Sequence, residues 1–170
     1  MPDLVADTSG LVSLGIAAGS DPDLLSRCLD TYAVLVPEAV VDELRETASY
    51  DDDHGRAADV ALDRLSDATV RSVDLDEEFP LDDGENAAVT LANETGADLF
   101  LCDEFNRLGL VHASLADTRL LTTPTLLSVF VRAGGMPASE ARVLLDEISS
   151  ARSWDADTYV QRARSLLSDP

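Results

Sequence analysis

Short apolar runs closed by an acidic or helix-starting residue alternate with segments of helical period along the first two thirds of the chain, and this alternation narrows the possible folds most. Leu4 to Ala6 is closed by Asp7, and Ser9 to Ala18 then carries Leu11, Leu14 and Ala18 at helix spacing. Ala33-Val34-Leu35-Val36 reads as a buried strand, with Pro37 in the first turn of a helix that runs to about Thr47. Thr69 to Val73 alternates as a strand does, Asp98 to Cys102 is the next strand, and Arg119 to Thr122 is a last short one. Between and after them lie a helix over Gly84 to Thr95 stopped by Gly96, another from Glu104 to about His112, and one opened by Pro124. Parallel strands need crossover connections, so the pattern predicts an α/β, three-layer fold with a parallel central sheet flanked by helices.

The remaining segments are placed around that frame. Asp21-Pro22 is expected to start a short helix reaching Leu29. Tyr50 to Gly55 reads as a solvated acidic insertion, followed by a helix with Ala57, Val60, Ala61 and Leu65 on one side. Two final helices, about Ala138 to Ala151 and Asp155 to Leu167, have no strand between them and are expected as a C-terminal helical extension, a lid or packing appendage. The 170 residues suit one domain, with a core over about 1–135 and the extension over about 136–170.

Asp and Glu total 33 against 12 basic residues, and all twelve are Arg. The lysine-free composition and net charge of −21 resemble those of cytosolic proteins from salt-loving archaea, and folding is expected to need salt that screens self-repulsion. Such charge normally opposes a nucleic-acid partner, unless bound divalent metal holds the phosphates. No apolar run approaches membrane-spanning length, and MPDLVADTSG has no basic stretch ahead of its apolar residues, so a soluble, cytoplasmic chain without a membrane partner is expected. Cys28 and Cys102 lack metal-ligand spacing and read as free buried thiols. His54 and His112 read as surface or cap residues, and Trp154 and Tyr159 as packing residues rather than base-stacking ones.

Ligands of parallel sheets bind beyond the carboxyl ends of the strands, and four acids fall at that predicted rim: Asp7, Glu43, Glu85 and Asp103. Each has a local reading beside the chemical one. Asp7 and Asp103 are good caps for the helices that follow them, and Asp82 with Glu85 has capping-box spacing. Glu43 lies mid-helix beside the packed face, where an unpaired carboxylate is costly. Together, four oxygen donors without His or Cys favour hard ions such as Mg2+ or Mn2+, which can activate water and stabilise an attacked phosphodiester.

The segments VADTSGLVSL, VLVPEAVVDELRE, LDDGENAAVTLANETGADLFLCDE and FNRLGL, in this order and over roughly Leu4 to Leu127, resemble the PIN-domain ribonucleases, which include VapC-like toxins. The resemblance implies an endoribonuclease whose metal is carried by Asp7, Glu43, Glu85 and Asp103, with Glu104 where relatives often have a second Asp. It implies that Thr8, Ser9 and Arg107 contact the site or its substrate. It further implies RNA as the substrate, a cognate antitoxin that inserts a basic side chain among the acids if the chain is a toxin, and a homodimer. Arg107 has the alternative of a surface pair with Glu104 or Asp103.

Other readings fit less well. An aspartyl phosphotransferase would set a second Asp two residues after Asp7 and use a lysine, but the chain has Ser9 and no lysine. A dinucleotide fold would want GxGxxG where DTSGLVSLG stands. The rival is a PIN fold that acts only as a binding module, its acids serving as caps or as a salt-adapted surface.

Overall fold

The structure, a computed structural model, describes residues 1–19 and 23–168. Strands β1 (Asp3–Ala6), β2 (Ala33–Pro37), β3 (Thr69–Arg71), β4 (Leu99–Leu101) and β5 (Arg119–Leu121) form a five-stranded sheet in the order β3-β2-β1-β4-β5. Every pairing is parallel, with Leu4 of β1 in register with Val34 on one side and Leu99 on the other. Leu4, Val5, Ala6 and Phe100 are wholly buried, as expected of central strands covered on both faces. The edge strand β3 is exposed throughout and only three residues long, which limits its use as a pairing template.

Helices α1 (Thr8–Ile16), α2 (Leu24–Thr31), α3 (Glu38–Ala48) and α4 (Asp53–Asp63) connect β1 to β2 and β2 to β3. Helices α5 (Asp83–Thr95) and α6 (Leu108–Ser114) make the later crossovers, and α7 (Thr123–Arg132), α8 (Ala138–Arg152) and α9 (Thr158–Leu167) close the chain. The early crossovers step outward on one side of β1 and the later ones on the other. Crossovers of the usual right hand put the two sets on opposite faces; α2 packs on β2, and α5 on β1, β2 and β4. The strand order reverses between β1 and β4. The carboxyl ends of those two strands open the crevice where such sheets take ligands.

Several local expectations change. Asp21 and Pro22 lie outside the described residues, and the α2 cap is Asp23, whose side chain accepts from the Ser26 amide. The stretch over 50–55 is solvated from Tyr50 to Asp53 as expected, but Gly55 is buried and the segment runs directly into α4. Asp52 caps α4, and α4 packs so tightly on α1 that a Cβ on Gly15 would stand 2.2 Å from the Ala57 carbonyl oxygen. The buried side of α4 is Ala57, Ala58 and Ala61, while Val60 is exposed. The Glu104 to His112 segment divides into a 3-10 turn over Phe105–Arg107 and then α6. Gly96 ends α5 in the left-handed conformation at φ 63.

The C-terminal helices are no appendage. Leu144, Leu145 and Ile148 of α8 are almost wholly buried in the one hydrophobic core, and α8 packs against α1, α7 and α9. Trp154 is buried too, its ring 4.8 Å from that of Phe105. Cys28 and Cys102 are free and buried. No helix among the described residues is long and apolar enough to cross a membrane.

Candidate active site

Asp7 leaves β1 and caps α1, and it does so at the crevice itself, so cap and site are not alternatives. Its Oδ1 accepts from the Gly10 amide at 3.0 Å and from the Ser9 hydroxyl at 2.7 Å. The same Ser9 oxygen accepts from the Asp103 amide at 2.9 Å. One buried hydroxyl thereby joins the acid that follows β1 to the acid that follows β4. Burial is the main cause that pushes the Asp7 carboxyl up to about 6, and the Asp103 charge adds to it.

Asp103 does not cap the turn that follows it. Its Oδ1 accepts from the Thr123 amide at 2.7 Å and its Oδ2 from the Thr123 hydroxyl at 2.5 Å, so it closes the N-terminus of α7, twenty residues on. Burial raises its pKa, and the Thr123 hydrogen bonds, Ser13 and Arg152 work against that rise. Arg152, in the last turn of α8, donates to the Ser9 carbonyl at 2.9 Å and to Ser13 Oγ at 3.2 Å. Ser153, at φ 58, turns the chain sharply after it. The Arg152 guanidinium lies 5.4 Å from the centre of the Trp154 ring.

Glu43 stands half-buried on α3, and its Oε1 is buried without a hydrogen-bond partner. Desolvation first, then the charges of Asp82, Asp7 and Asp83, push its carboxyl up to about 7. Thr8 is near enough to draw that value down, yet its Oγ1 has no hydrogen bond of ordinary geometry. The Glu43 carboxylate rests on Gly84, where a Cβ would meet Oε1 at 1.3 Å.

Glu85 is buried in the first turn of α5, with its amide bonded to the Asp82 cap at 2.9 Å. Burial and its contact with Asp82 push the carboxyl up to about 8, and Arg107 opposes both. Arg107 Nε donates to Glu85 Oε2 at 3.0 Å and its NH2 group to the Pro80 carbonyl. Arg107 thus pairs with Glu85, not with Glu104 or Asp103. Glu104 is exposed, and its charge reaches Arg107.

All four expected acids are therefore at or beside the crevice, coupled as Asp7 with Asp103, Asp7 with Glu43, and Asp82 with both Glu43 and Glu85. The donors suit a hard divalent ion: every one is oxygen, and the orphaned Glu43 Oε1 is an acceptor that a cation would satisfy. The expected closed cage does not form, however. Among the described residues no three acidic, His or Cys side chains stand together closely enough to hold one ion. Thr123 bonds both oxygens of Asp103, and Arg107 pairs with Glu85.

Sequence reasoning missed Gly84, Thr123 and Arg152. The bare α-carbon of Gly84 in LDDGEN could have signalled close approach, whereas Arg152 lies 143 residues from its Ser9 partner and carried no local signal. No curated protein matches the chain. The chain does match the DUF3368 family, a PIN domain, over residues 3–169, a span that includes the C-terminal helices as well as the segments that hold the acids. A parallel sheet ordered β3-β2-β1-β4-β5 with acids at the reversal of its strand order, matched over nearly the whole chain, places this protein in the PIN-domain family, whose members are generally metal-dependent nucleases.

Proposed function

We propose that the chain is a Mg2+- or Mn2+-dependent endoribonuclease that hydrolyses RNA phosphodiester bonds, with Asp7, Glu43, Glu85 and Asp103 as its catalytic acids. The observation that carries this reading is the Ser9 hydroxyl shared between Asp7 and the Asp103 amide, which fixes acids from two strands at the ligand crevice. Asp7, Glu43 and Asp103 would have to draw together from this open arrangement to hold a divalent ion, which would supply Lewis acidity toward phosphate and lower the pKa of water.

The chain's own groups divide the remaining work. Ser9 and the Gly10 amide orient Asp7, and Thr123 orients Asp103. Glu85, paired with Arg107 in the first turn of α5, would orient a second ion or the water. Arg107 holds Glu85 and puts positive charge where charge builds on phosphate. The unpartnered Thr8 hydroxyl and the exposed Glu104 are the groups left to meet substrate or to orient a second ion or water. As a toxin, the chain would be silenced by an antitoxin that sets a basic side chain among these acids.

The test is Mn2+ calorimetry in molar KCl on the native chain and on Asp7→Asn plus Asp103→Asn, followed by cleavage of labelled RNA with and without chelator. Binding lost in a folded variant, together with chelator-sensitive cleavage by the native chain, is the expected result. Equal weak binding by both would leave a PIN fold that serves only as a binding module.

A further inference from the structure

Two clefts meet on the side of the sheet next to Asp103. The first, about 360 Å3, lies between α6 and the start of α7 and is lined by Leu108, His112, Thr122 and Thr125, with Tyr159 of α9. The second, about 260 Å3, shares Thr125 and Tyr159 and runs along α7 and α9 to Arg132 and Arg162. Thr122 and Thr123 are neighbours in the chain, so the trough starts beside the residue that clamps Asp103. From Thr122 to Arg132 the helix rises about 15 Å.

The charge of this trough is anomalous. Not one Asp or Glu lines either cleft, in a chain where acids number 33 of 170 residues. Arg132 and Arg162 are exposed and make no ion pair among the described residues, whereas Arg45, Arg56, Arg64, Arg107 and Arg164 all pair with acids. Two guanidiniums kept clear of so many carboxylates form a local anion-accepting surface.

Tyr159 sits where the clefts join, 47% exposed, with its ring stacked on Phe105 at 5.5 Å and an interplanar angle of 21°. Phe105 is two residues past Asp103 and packs on buried Trp154. An aromatic held from behind, with a face open to a groove that ends in paired arginines, is the arrangement that takes a base and its phosphates from a single strand.

We infer that this trough seats single-stranded RNA on one flank of the scissile position, with Arg132 and Arg162 on phosphates and Tyr159 under a base. The inference deepens the ribonuclease reading and rests on it for the choice of substrate. The experiment measures anisotropy of a labelled single-stranded oligoribonucleotide in EDTA across a KCl series in which the chain stays folded. It compares the native chain with Arg132→Gln plus Arg162→Gln and, separately, with Tyr159→Ala; exposed positions make loss of fold unexpected, and circular dichroism checks it.

The expected result is a Kd raised about tenfold or more in the arginine variant, with the slope of log affinity against log salt reduced by about 1.4, the value for two phosphate contacts on a single strand. Tyr159→Ala weakens binding roughly tenfold and leaves the slope unchanged. With Mn2+ restored, the arginine variant raises KM more than it lowers kcat. Unchanged affinity and slope in the variants would overturn the inference, as would a native chain that binds an acidic peptide at these arginines and no RNA. RNA held in the trough but never cleaved would sink the nuclease reading alone, and cleavage with variants indistinguishable from native would sink the trough alone.

Discussion

The carboxylate of Glu43 lies against the bare α-carbon of Gly84, so closely that a Cβ there would stand 1.3 Å from Oε1 and 2.4 Å from Cδ. Glu43 belongs to α3 and Gly84 to the first turn of α5, and the contact brings the acid to the positive end of a helix. Gly84→Ala therefore pushes Glu43 aside without harming α5, which gains up to about 1 kcal/mol in helix propensity. Divalent-ion affinity and RNA cleavage should each fall by about tenfold to a hundredfold, since displacements near 1 Å are costly at a reacting centre, while the melting temperature holds or rises. Calorimetry and a thermal melt on the one variant check both halves. Undiminished ion affinity would show that Glu43 takes no part in holding metal.

Ser9→Ala separates Asp7 from Asp103. It removes the 2.7 Å bond to Asp7 and leaves the buried Asp103 amide without its acceptor. An unsatisfied buried donor costs about 1–3 kcal/mol, which for a domain of this size lowers the melting temperature by several degrees, at about 2–4 °C per kcal/mol. Since the Ser9 bond holds the Asp7 pKa down, that pKa should rise above its native value of about 6. A carboxyl-labelled NMR titration reads the shift. An unmoved Asp7 would show that the bridge has no electrostatic role.

The layers of the fold and the positions of the acids were legible because each depends on local sequence. Val5 and Phe100 sit in apolar runs, and Asp7 and Asp82 precede helical segments by the spacing of a cap. What holds those acids was not legible. Asp103 is oriented by Thr123, twenty residues on, and the Ser9 carbonyl by Arg152, 143 residues on. Only the packed fold brings these partners together. For the same reason the open set of acids could not be foreseen, because Arg107 had several acids within reach and the fold gave it Glu85.

Stability should fall as pH rises through the neutral range when metal is chelated. Asp7, Glu43 and Glu85 have folded pKa values raised to about 6, 7 and 8. The native state therefore binds protons more tightly than the unfolded chain, and the stability this confers is whole below about pH 4 and is lost as pH climbs through those values. Buried Asp7 alone accounts for roughly 2–3 kcal/mol at 1.36 kcal/mol per pH unit; the other two are partly solvated and add less. Melts in EDTA should show a lower transition at pH 8.5 than at pH 5, and Mn2+ should raise it most at the higher pH, where the ligands have lost their protons. A transition that instead rises with pH in EDTA would contradict the raised values.

Removal of the C-terminal helices should unfold the chain. A stop after Gly135 removes Leu144, Leu145 and Ile148, each 0–1% exposed, together with Arg152 and Trp154. At about 1.5–3 kcal/mol for each fully buried aliphatic side chain, the loss approaches the whole margin of about 5–15 kcal/mol that a domain has. Proteolysis and circular dichroism of the truncated chain, beside full-length Arg152→Gln, separate packing from contact. The truncation should be degraded rapidly, and the point variant should stay folded with Asp103 shifted upward in pKa, since the Arg152 charge opposes that rise. A stable, compact 1–135 fragment would restore the appendage reading.

Salt should act on this protein as a folding reagent. The net charge is −21, and six of the described arginines meet acids, in pairs such as Arg45–Asp42, Arg56–Asp53 and Arg64–Asp67. Those pairs are exposed or partly so and add little each, so the excess acids repel without compensation. At 10 mM salt the Debye length is about 30 Å and spans most of a domain this size, whereas at 1 M it is about 3 Å and leaves only adjacent charges in contact. The melting temperature in EDTA should therefore climb steeply from low to molar KCl, with NaCl close behind, because screening depends on ionic strength and not on a particular site. A transition independent of salt would show that the carboxylates are spaced widely enough to solvate separately, and the lysine-free composition would then need a cause other than self-repulsion.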